Sequence, residues 1–370
     1  MRLIHTADWQ IGKPFGRFGA EVRNALAEAR FDVIDRIGKI AADRGVDHVI
    51  VAGDVFDNVG PSERDLVQAL TRMSRAPCHW WLLPGNHDNV RAGGLWERVR
   101  RKASNNVVVL DRSEPVAITD DAWLLPAPIE YRRTRDDPTA AFSDMATPAN
   151  ALRIGLAHGS IVDFAQKGEA ENLIPPDRAR ISGLDYLALG DWHGYLMVGE
   201  RTSYSGVPEI DRFGRDGKGG VSVVEILPGS PPVIERVETG RYEWLERRWE
   251  LADAPAFHDE RRRFMQEMDP ANTLLRLKLS GILDIFDRSK VMAEVEDDLV
   301  HALRWCEVDD ADLAARPSDR DIEELAVEGT LRVASQLLQT DCATGGAQGA
   351  LAAKALERLY VETLRAGEPE

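Results

Sequence analysis

The sequence holds only three cysteines in 370 residues, Cys78, Cys306 and Cys342, and no two of them stand in a CxxC pair. An odd number at such distances excludes a zinc ribbon and points to a reducing compartment. Long apolar runs are missing as well, since none approaches the ~20 residues needed to cross a bilayer. The opening Met1-Arg2-Leu3-Ile4-His5 turns polar too early for the apolar region of a signal peptide. Together these absences predict a cytoplasmic protein with no membrane association. An excess of basic residues is also lacking: 46 Lys and Arg stand against 62 Asp and Glu, for a formal net charge of -16. A general nucleic-acid coat neutralises phosphate with basic surface, so this balance leans against DNA as a partner. Metal ions in an acidic site would offset part of the charge locally. Internal repeats and low-complexity segments are absent too.

What is present suffices for a large core. Hydrophobic residues make up 44% of the chain, and its length suits one large domain with a smaller one. Leu3-Ile4 predicts a strand. Val22 to Asp43 has helical spacing, with Val22, Leu26, Phe31, Ile34 and Ile37 on or near one face. His48 to Ala52 and Trp80 to Leu83 have the make-up of buried strands. Ser62 with Asp65 forms a capping pattern that opens a helix toward Met73. This alternation predicts a layered α/β core. From Val107 to Val237 short β-like runs dominate, punctuated by Gly and Pro, which predicts a second sheet rich in hairpins. Pro228 to Pro232 reads as a hairpin turn, because Val233-Ile234 resumes a strand. Beyond Gly240 the pattern becomes that of a small α+β module. Its strands are expected near 242–251 and 274–279, and its helices near 257–268 and 289–303. Two further helices are expected near 319–338 and 347–364. The expected division is 1–240 for a catalytic domain, 241–340 for a capping or substrate-binding module and 341–370 for a C-terminal helix suited to docking a partner. Leu351, Ala355, Leu359 and Val361 to Leu364 would supply its apolar stripe.

The chemistry-bearing residues follow apolar runs. Asp8 comes after the first strand, and Gly53-Asp54-Val55-Phe56-Asp57 follows Val49 to Ala52. Gly85-Asn86-His87-Asp88 follows the third strand. His158-Gly159 and Gly190-Asp191-Trp192-His193-Gly194 come later. Singly, each has an ordinary explanation: Gly-Asp is a common turn, and a lone His is usually a satisfied polar residue. As an ordered set they would gather where the carboxyl ends of strands meet and ligands bind. Asp, Asn and His converging there supply mixed oxygen and nitrogen donors suited to Mn, Fe or Zn. The glycines let the backbone turn sharply beside the ions.

This order resembles the calcineurin-like metallophosphoesterase superfamily, with its D-x-H, GDxxD, GNH-D/E, lone His and GHxH motifs, over about the first two-thirds of the chain. His5 to Trp9, Gly53 to Asp57 and Tyr204-Ser205-Gly206-Val207-Pro208 are similar to SbcD-type exonuclease subunits of DNA repair. The resemblance implies a four-layer α-β-β-α sandwich with a small capping module, and two divalent metal ions. Asp8, Gln10, Asp54 and His193 would serve one ion. Asp54, Asn86, His158 and Asp191 would serve the other. His87 would be the catalytic histidine, oriented by Asp57. The implied reaction is in-line attack on a phosphodiester by a metal-activated water or hydroxide. The implied partners are DNA and an SbcC-like ATPase subunit, with a homodimer compatible.

Two ligands depart from the family pattern: Gln10 stands where D-x-H has His, and Asp191 stands where GHxH has its first His. Exchanging two imidazoles for an amide oxygen and a carboxylate favours Mn2+, with Mg2+ or Fe as alternatives, over Zn2+. It also leaves open a phosphoesterase acting on a small molecule or phosphoprotein, or a degenerate binding subunit. Arg91, Arg98, Arg100, Arg101 and Lys102, and Arg132, Arg133 and Arg135, form basic clusters able to hold phosphates or to act as solvated faces.

Overall fold

The computed structural model describes residues 1–91, 93–161, 171–316 and 330–367. These divide into two compact units, one comprising 1–212 and 217–242, the other 213–216 and 243–370.

In the first unit, the buried-type runs pair as expected. Strands β1 (Arg2–Thr6), β2 (His48–Val51), β3 (His79–Leu82) and β4 (Val107–Val109) are parallel neighbours in that order. Helix α1 (Ala20–Arg44) buries Leu26, Val33, Ile34, Ile37 and Ala41 at helical spacing. It ends at Gly45, whose φ of 61° suits a residue without Cβ and lets its N–H reach Ala41 and Ala42. Helix α2 (Glu63–Arg75) starts at Ser62, whose hydroxyl accepts from the Asp65 N–H. With α3 (Leu95–Lys102), these helices cover one face of the sheet through Phe31, Leu66, Met73, Trp80 and Val99. Trp9 and Trp80 meet edge to face at 5.6 Å within that layer.

The second sheet departs from the hairpin-rich expectation. Its strands are β5 (Val116–Thr119), β6 (Ala122–Ala127), β7 (Leu152–His158), β10 (Tyr186–Gly190), β11 (Leu196–Gly199) and β12 (Thr202–Tyr204). A two-residue ladder, β8 (Ser160–Ile161) with β9 (Leu173–Ile174), stands apart. The core β6-β7-β10-β12 is parallel, and only the edge pairs β5-β6 and β11-β12 are antiparallel. Fully buried runs such as Tyr186–Gly190 suit a parallel strand covered on both faces, which short length and Gly punctuation cannot tell from a hairpin arm. The hairpin of β13 (Gly220–Glu225) and β14 (Val233–Glu238) joins the first sheet instead, with β13 antiparallel to β1.

The two sheets face each other through Leu3, Ile50, Trp81, Leu124, Ile154, Leu156, Tyr186 and Val224. Each such side chain contributes about 1.5–3 kcal/mol when fully buried. A polar link crosses this layer: His5 Nδ1 shares a 2.8 Å hydrogen bond with the Tyr186 hydroxyl. Burial pushes His5 down to about 3, so its ring is neutral there. Helices lie outside both sheets, although the outer face of the second carries only short ones, the 3-10 turn Ala140–Ser143 and α4 (Arg178–Ile181). This is the four-layer α-β-β-α arrangement.

In the second unit, β15 (Glu243–Leu251), β16 (Thr273–Asp284) and β17 (Trp305–Arg316) form a parallel sheet. Helices α5 (Ala254–Glu267) and α6 (Ile285–Glu294) pack on it through Trp249, Phe257, Leu275, Leu277 and Val291. Helices Thr330–Cys342 and Gly346–Gly367 follow. The helix expected from 319 lies partly outside the described residues. In the last helix Ala352 and Leu356 are buried, whereas Leu351 of the expected stripe is exposed. No helix among the described residues is long and apolar enough to cross a membrane.

Candidate metal centre

The carboxyl ends of β1, β2 and β3 and of β7 and β10 carry the polar residues. The loop after β1 is laid along the loop after β2: Asp8 N–H donates to Gly53 O, and Gln10 N–H to Asp54 O. This pairing holds Asp8, Gln10 and Asp54 at φ of 56°, 50° and 54°, and Asp191 sits at 97°. Non-glycine residues rarely take this region, and they persist there only when their surroundings enforce it. Four of the seven such residues among those described are thus candidate ligands.

Glycines let the loops close in. A Cβ on Gly53 would lie 2.2 Å from His158 Nδ1, and one on Gly85 would lie 2.3 Å from Asp54 Oδ1. Asp88 fixes the third loop, because its Oδ1 accepts from Gly85 N–H and its Oδ2 from Phe56 N–H. The Asp54 carboxylate then accepts from the His87 N–H at 2.9 Å and from the Gln10 amide at 2.9 Å.

Asp8, Asp54 and His158 are buried, with donor atoms within 4.8 Å of one another. His158 Nε2 lies 3.5 Å from Asp54 Oδ1 and 3.8 Å from Asp191 Oδ1. Asp191 N–H points to both Asp8 oxygens at 3.2 Å, and Asn86 Nδ2 reaches Asp191 at 3.5 Å. Ser160 donates to the other Asp191 oxygen at 2.7 Å. His193 turns its Nδ1 to Asp211 Oδ1 at 3.5 Å and is not one of the convergent three. His87 turns its ring to the main-chain carbonyl of Asp57, not to the carboxylate.

The donor set suits cations on two grounds. First, His158 Nε2 and Asn86 Oδ1 are buried without a hydrogen-bond partner. His158 Nδ1 meets the Ala52 carbonyl at 2.9 Å, which directs the Nε2 lone pair into the cluster. Orphaned acceptors beside carboxylates are what a metal ion satisfies. Second, the carboxylates are short of positive charge. Burial, reinforced by Asp54 and Asp191, pushes Asp8 up to about 6 against the pull of His193 and His158. Burial and the Asp54 charge push Asp88 up to about 7. Burial alone would lower His158, but Asp54, Asp8 and Asp191 raise it to about 9. In the metal-free protein a proton on His158 thus stands in for a cation.

Four residues around the centre have roles that the sequence pattern does not announce: Asp88, Ser160, Arg30 and Asp211. Asp211 is buried, and that opposes its charge; the His193 ring, Arg30 and Lys13 nevertheless hold it well below the usual carboxylate range. Arg30, buried on α1, donates to the Trp9 carbonyl and lies 3.7 Å from Asp211. Its only signal in the sequence is an Arg on an apolar helical face. The basic clusters are largely ion-paired: Arg98 and Lys102 with Glu63, Arg100 with Asp111, Arg133 with Glu171.

Comparison with known proteins agrees with this geometry. The model of the calcineurin-like phosphoesterase family matches residues 1–195. The SbcD subunit of the SbcCD nuclease of Bacillus subtilis (strain 168) is 26% identical over 282 residues, covering 64% of this chain and 69% of that protein. Its counterpart in Rhodobacter capsulatus is 28% identical over 284 residues, covering 63% and 68%. DNA double-strand break repair protein Mre11 of Methanosarcina mazei is 33% identical over 92 residues, covering 24% and 14%. With more than half its length matched and its buried acids, amide and imidazole meeting at one sheet edge, the chain belongs to the calcineurin-like phosphoesterase family.

Proposed function

We propose that this protein is a metal-dependent phosphodiesterase that cleaves DNA, as a nuclease subunit of the SbcD type. The observation that carries the reading is the pair of orphaned acceptors, His158 Nε2 and Asn86 Oδ1, buried beside strained Asp8, Asp54 and Asp191. Asp8, Gln10, Asp54, Asn86, His158, Asp191 and His193 would hold two divalent ions, Mn2+ foremost. When bound, such ions neutralise phosphoryl charge and lower the pKa of a water. The named relatives, nuclease subunits and a DNA-break repair protein, support DNA as the substrate.

The residues of the chain divide the remaining work. Asp88 and Gly85 hold the loop so that His87 N–H bonds Asp54 while its ring turns away. A carbonyl only accepts, so His87 Nδ1 carries a hydrogen toward Asp57 O. The other ring nitrogen is left to hold or give a proton to the departing deoxyribose oxygen. Asp211 holds the His193 ring, and Arg30 and Lys13 keep Asp211 ionised. Residues 1–240 act as the catalytic domain, 241–340 as a capping module and 341–370 as the segment that docks a partner such as an SbcC-like ATPase. Three free cysteines suit a reducing cytoplasm.

The test is cleavage of single- and double-stranded DNA with Mn2+, beside bis-nitrophenyl phosphate. Wild type is expected to cleave DNA, and Asp54→Ala to lose both activity and bound metal. Wild type that hydrolyses only the small diester would make the chain a phosphoesterase of small substrates. Wild type that cleaves neither, with Mn2+, Mg2+ or Zn2+, would make it a binding subunit.

A further inference from the structure

Among the described residues large aromatic side chains are mostly hidden, and the exceptions lie on two loops at the carboxyl ends of β6 and β10. Among the described residues, the exposed large aromatics are Tyr131, Trp192 and Tyr195, at 56%, 42% and 37%. Trp192 and Tyr195 lie in the loop that leaves β10, on either side of His193. Tyr131 lies four residues past the end of β6. Its segment is tied to the loop that carries Asn86 and His87: Ile129 N–H donates to Pro84 O, Val90 N–H to Ile129 O and Arg91 N–H to Glu130 O.

The topology puts these loops on either side of the centre. Strands β6, β7 and β10 are adjacent and parallel, and the end of β7 carries His158. With neighbouring strands ~4.8 Å apart, the ends of β6 and β10 stand about 10 Å from each other across His158. That span suits a few nucleotides. Each tyrosine also carries a guanidinium on its ring: Arg91 Cζ lies 5.3 Å from the Tyr131 centroid, and Arg236 Cζ lies 5.2 Å from that of Tyr195.

Burial is the default for such rings, so exposure of these three, all beside the metal centre, calls for a ligand with flat apolar faces. Charge sharpens the choice. The chain is at -16, and five of the eight basic residues in the two clusters, Arg91, Arg98, Arg100, Lys102 and Arg133, are engaged by Glu63, Asp111, Glu130 and Glu171. Phosphate attraction is therefore a weak source of affinity here. Bases of an unpaired strand offer π-faces that stack on aromatic rings whatever the sequence, whereas bases inside a duplex are already stacked on each other.

We infer that Tyr131, Trp192 and Tyr195 form a base-stacking platform that grips unpaired DNA nucleotides beside the metal centre. This rests on the DNA-cleaving reading above and adds how the strand is held: by ring faces more than by charge. The platform selects single-stranded segments and frayed ends over blunt duplex.

The experiment is fluorescence anisotropy of a labelled short oligothymidylate with phosphorothioate linkages, which are consumed slowly, against a blunt duplex of equal length, with Mn2+. Wild type is compared with Tyr131→Ala, Tyr195→Ala and the matching Phe variants. Both Ala variants should bind the single strand ~10-fold more weakly, and both Phe variants within ~2-fold of wild type, because the ring is what stacks. Duplex affinity should change less than ~2-fold, and affinity should fall only shallowly with salt. Thermal melting checks that each variant is folded. Ala variants that bind like wild type would overturn the platform, and so would Phe variants as weak as the Ala ones. Wild type that cleaves duplex without binding the single strand would sink the platform and leave the nuclease reading standing. Wild type that binds and cleaves no DNA yet hydrolyses bis-nitrophenyl phosphate would remove the nuclease reading and the platform with it.

Discussion

His87 Nδ1 donates to the main-chain carbonyl of Asp57 over 2.8 Å, so the ring is oriented by backbone and not by a carboxylate. Two outcomes separate on that basis. His87→Ala is expected to keep its metal and lose ~100-fold or more in turnover of DNA. The loss shrinks with nitrophenyl esters, whose leaving group needs little protonation. Asp57→Asn keeps the carbonyl and should change turnover by less than ~3-fold. Steady-state rates on the two substrates, with elemental analysis of each variant, check this. Equal losses on both substrates for His87→Ala would leave His87 as a phosphate-binding group.

Gly53 is a tight approach between the two sheets at the centre. Its φ is +89°, and a Cβ there would stand 2.2 Å from His158 Nδ1. Gly53→Ala is expected to cost about 2–4 kcal/mol, from backbone strain and overpacking combined. It should also displace the His158 ring and so lower metal content. Urea unfolding and metal analysis test both parts. A variant of unchanged stability with weakened metal binding would mean that His158 moves freely.

Much of the centre was legible because each ligand follows a buried strand in short order. Val49 to Ala52 leads to Asp54, and Tyr186 to Leu189 leads to Asp191, so apolar run and polar turn mark the sheet edge together. Asp211 and Arg30 were not, since 181 positions separate them and only the fold brings them to 3.7 Å. Strand β17 escaped for a different reason. Its Glu307, Asp309 and Asp312 pair with Arg276 and Lys278 of β16 on the exposed face, while only Cys306, Val308 and Leu313 turn to the core, so acidic residues swamp a thin apolar alternation. The first sheet's β13-β14 hairpin was visible as a hairpin, but its pairing with β1 joins residues more than 200 apart, which no local pattern encodes.

Gln10 bears on metal choice. Its amide donates to the Asp54 carboxylate at 2.9 Å, from a left-handed backbone that His tolerates better than most residues. Gln10→His replaces an amide by an imidazole and should shift preference toward Zn2+ relative to Mn2+ while activity is retained. Competition between the two ions, read by elemental analysis after dialysis, tests it. Unchanged preference would assign Gln10 to holding the Asp54 carboxylate and not to metal ligation.

Metal and pH should act on stability in opposite senses. In the metal-free protein Asp8 rises from 3.8 to about 6, by burial first and then the charges of Asp54 and Asp191. Asp88 rises from 3.8 to about 7, by burial and then Asp54. For His158 burial acts downward, but Asp54, Asp8 and Asp191 carry it from 6.5 to about 9. Each native value exceeds its unfolded one, so the native state binds more protons and stability falls as pH rises. The carboxyl contributions are whole below about pH 4 and fade through pH 6–7; that of His158 is whole below about pH 6.5 and fades through pH 9. In EDTA the melting temperature should therefore drop by several degrees between pH 5.5 and 8.5. Metal binding expels the same protons, so Mn2+ should stabilise more at pH 8.5 than at pH 5.5; at a hundredfold excess over its dissociation constant the whole stabilisation is ~2.7 kcal/mol. Asp54→Ala removes a charge that raises all three groups. It should flatten the decline in EDTA and abolish the Mn2+ shift at both pH values. A Mn2+ shift of equal size at the two pH values, or one that survives in Asp54→Ala, would show that the ion binds somewhere other than this cluster.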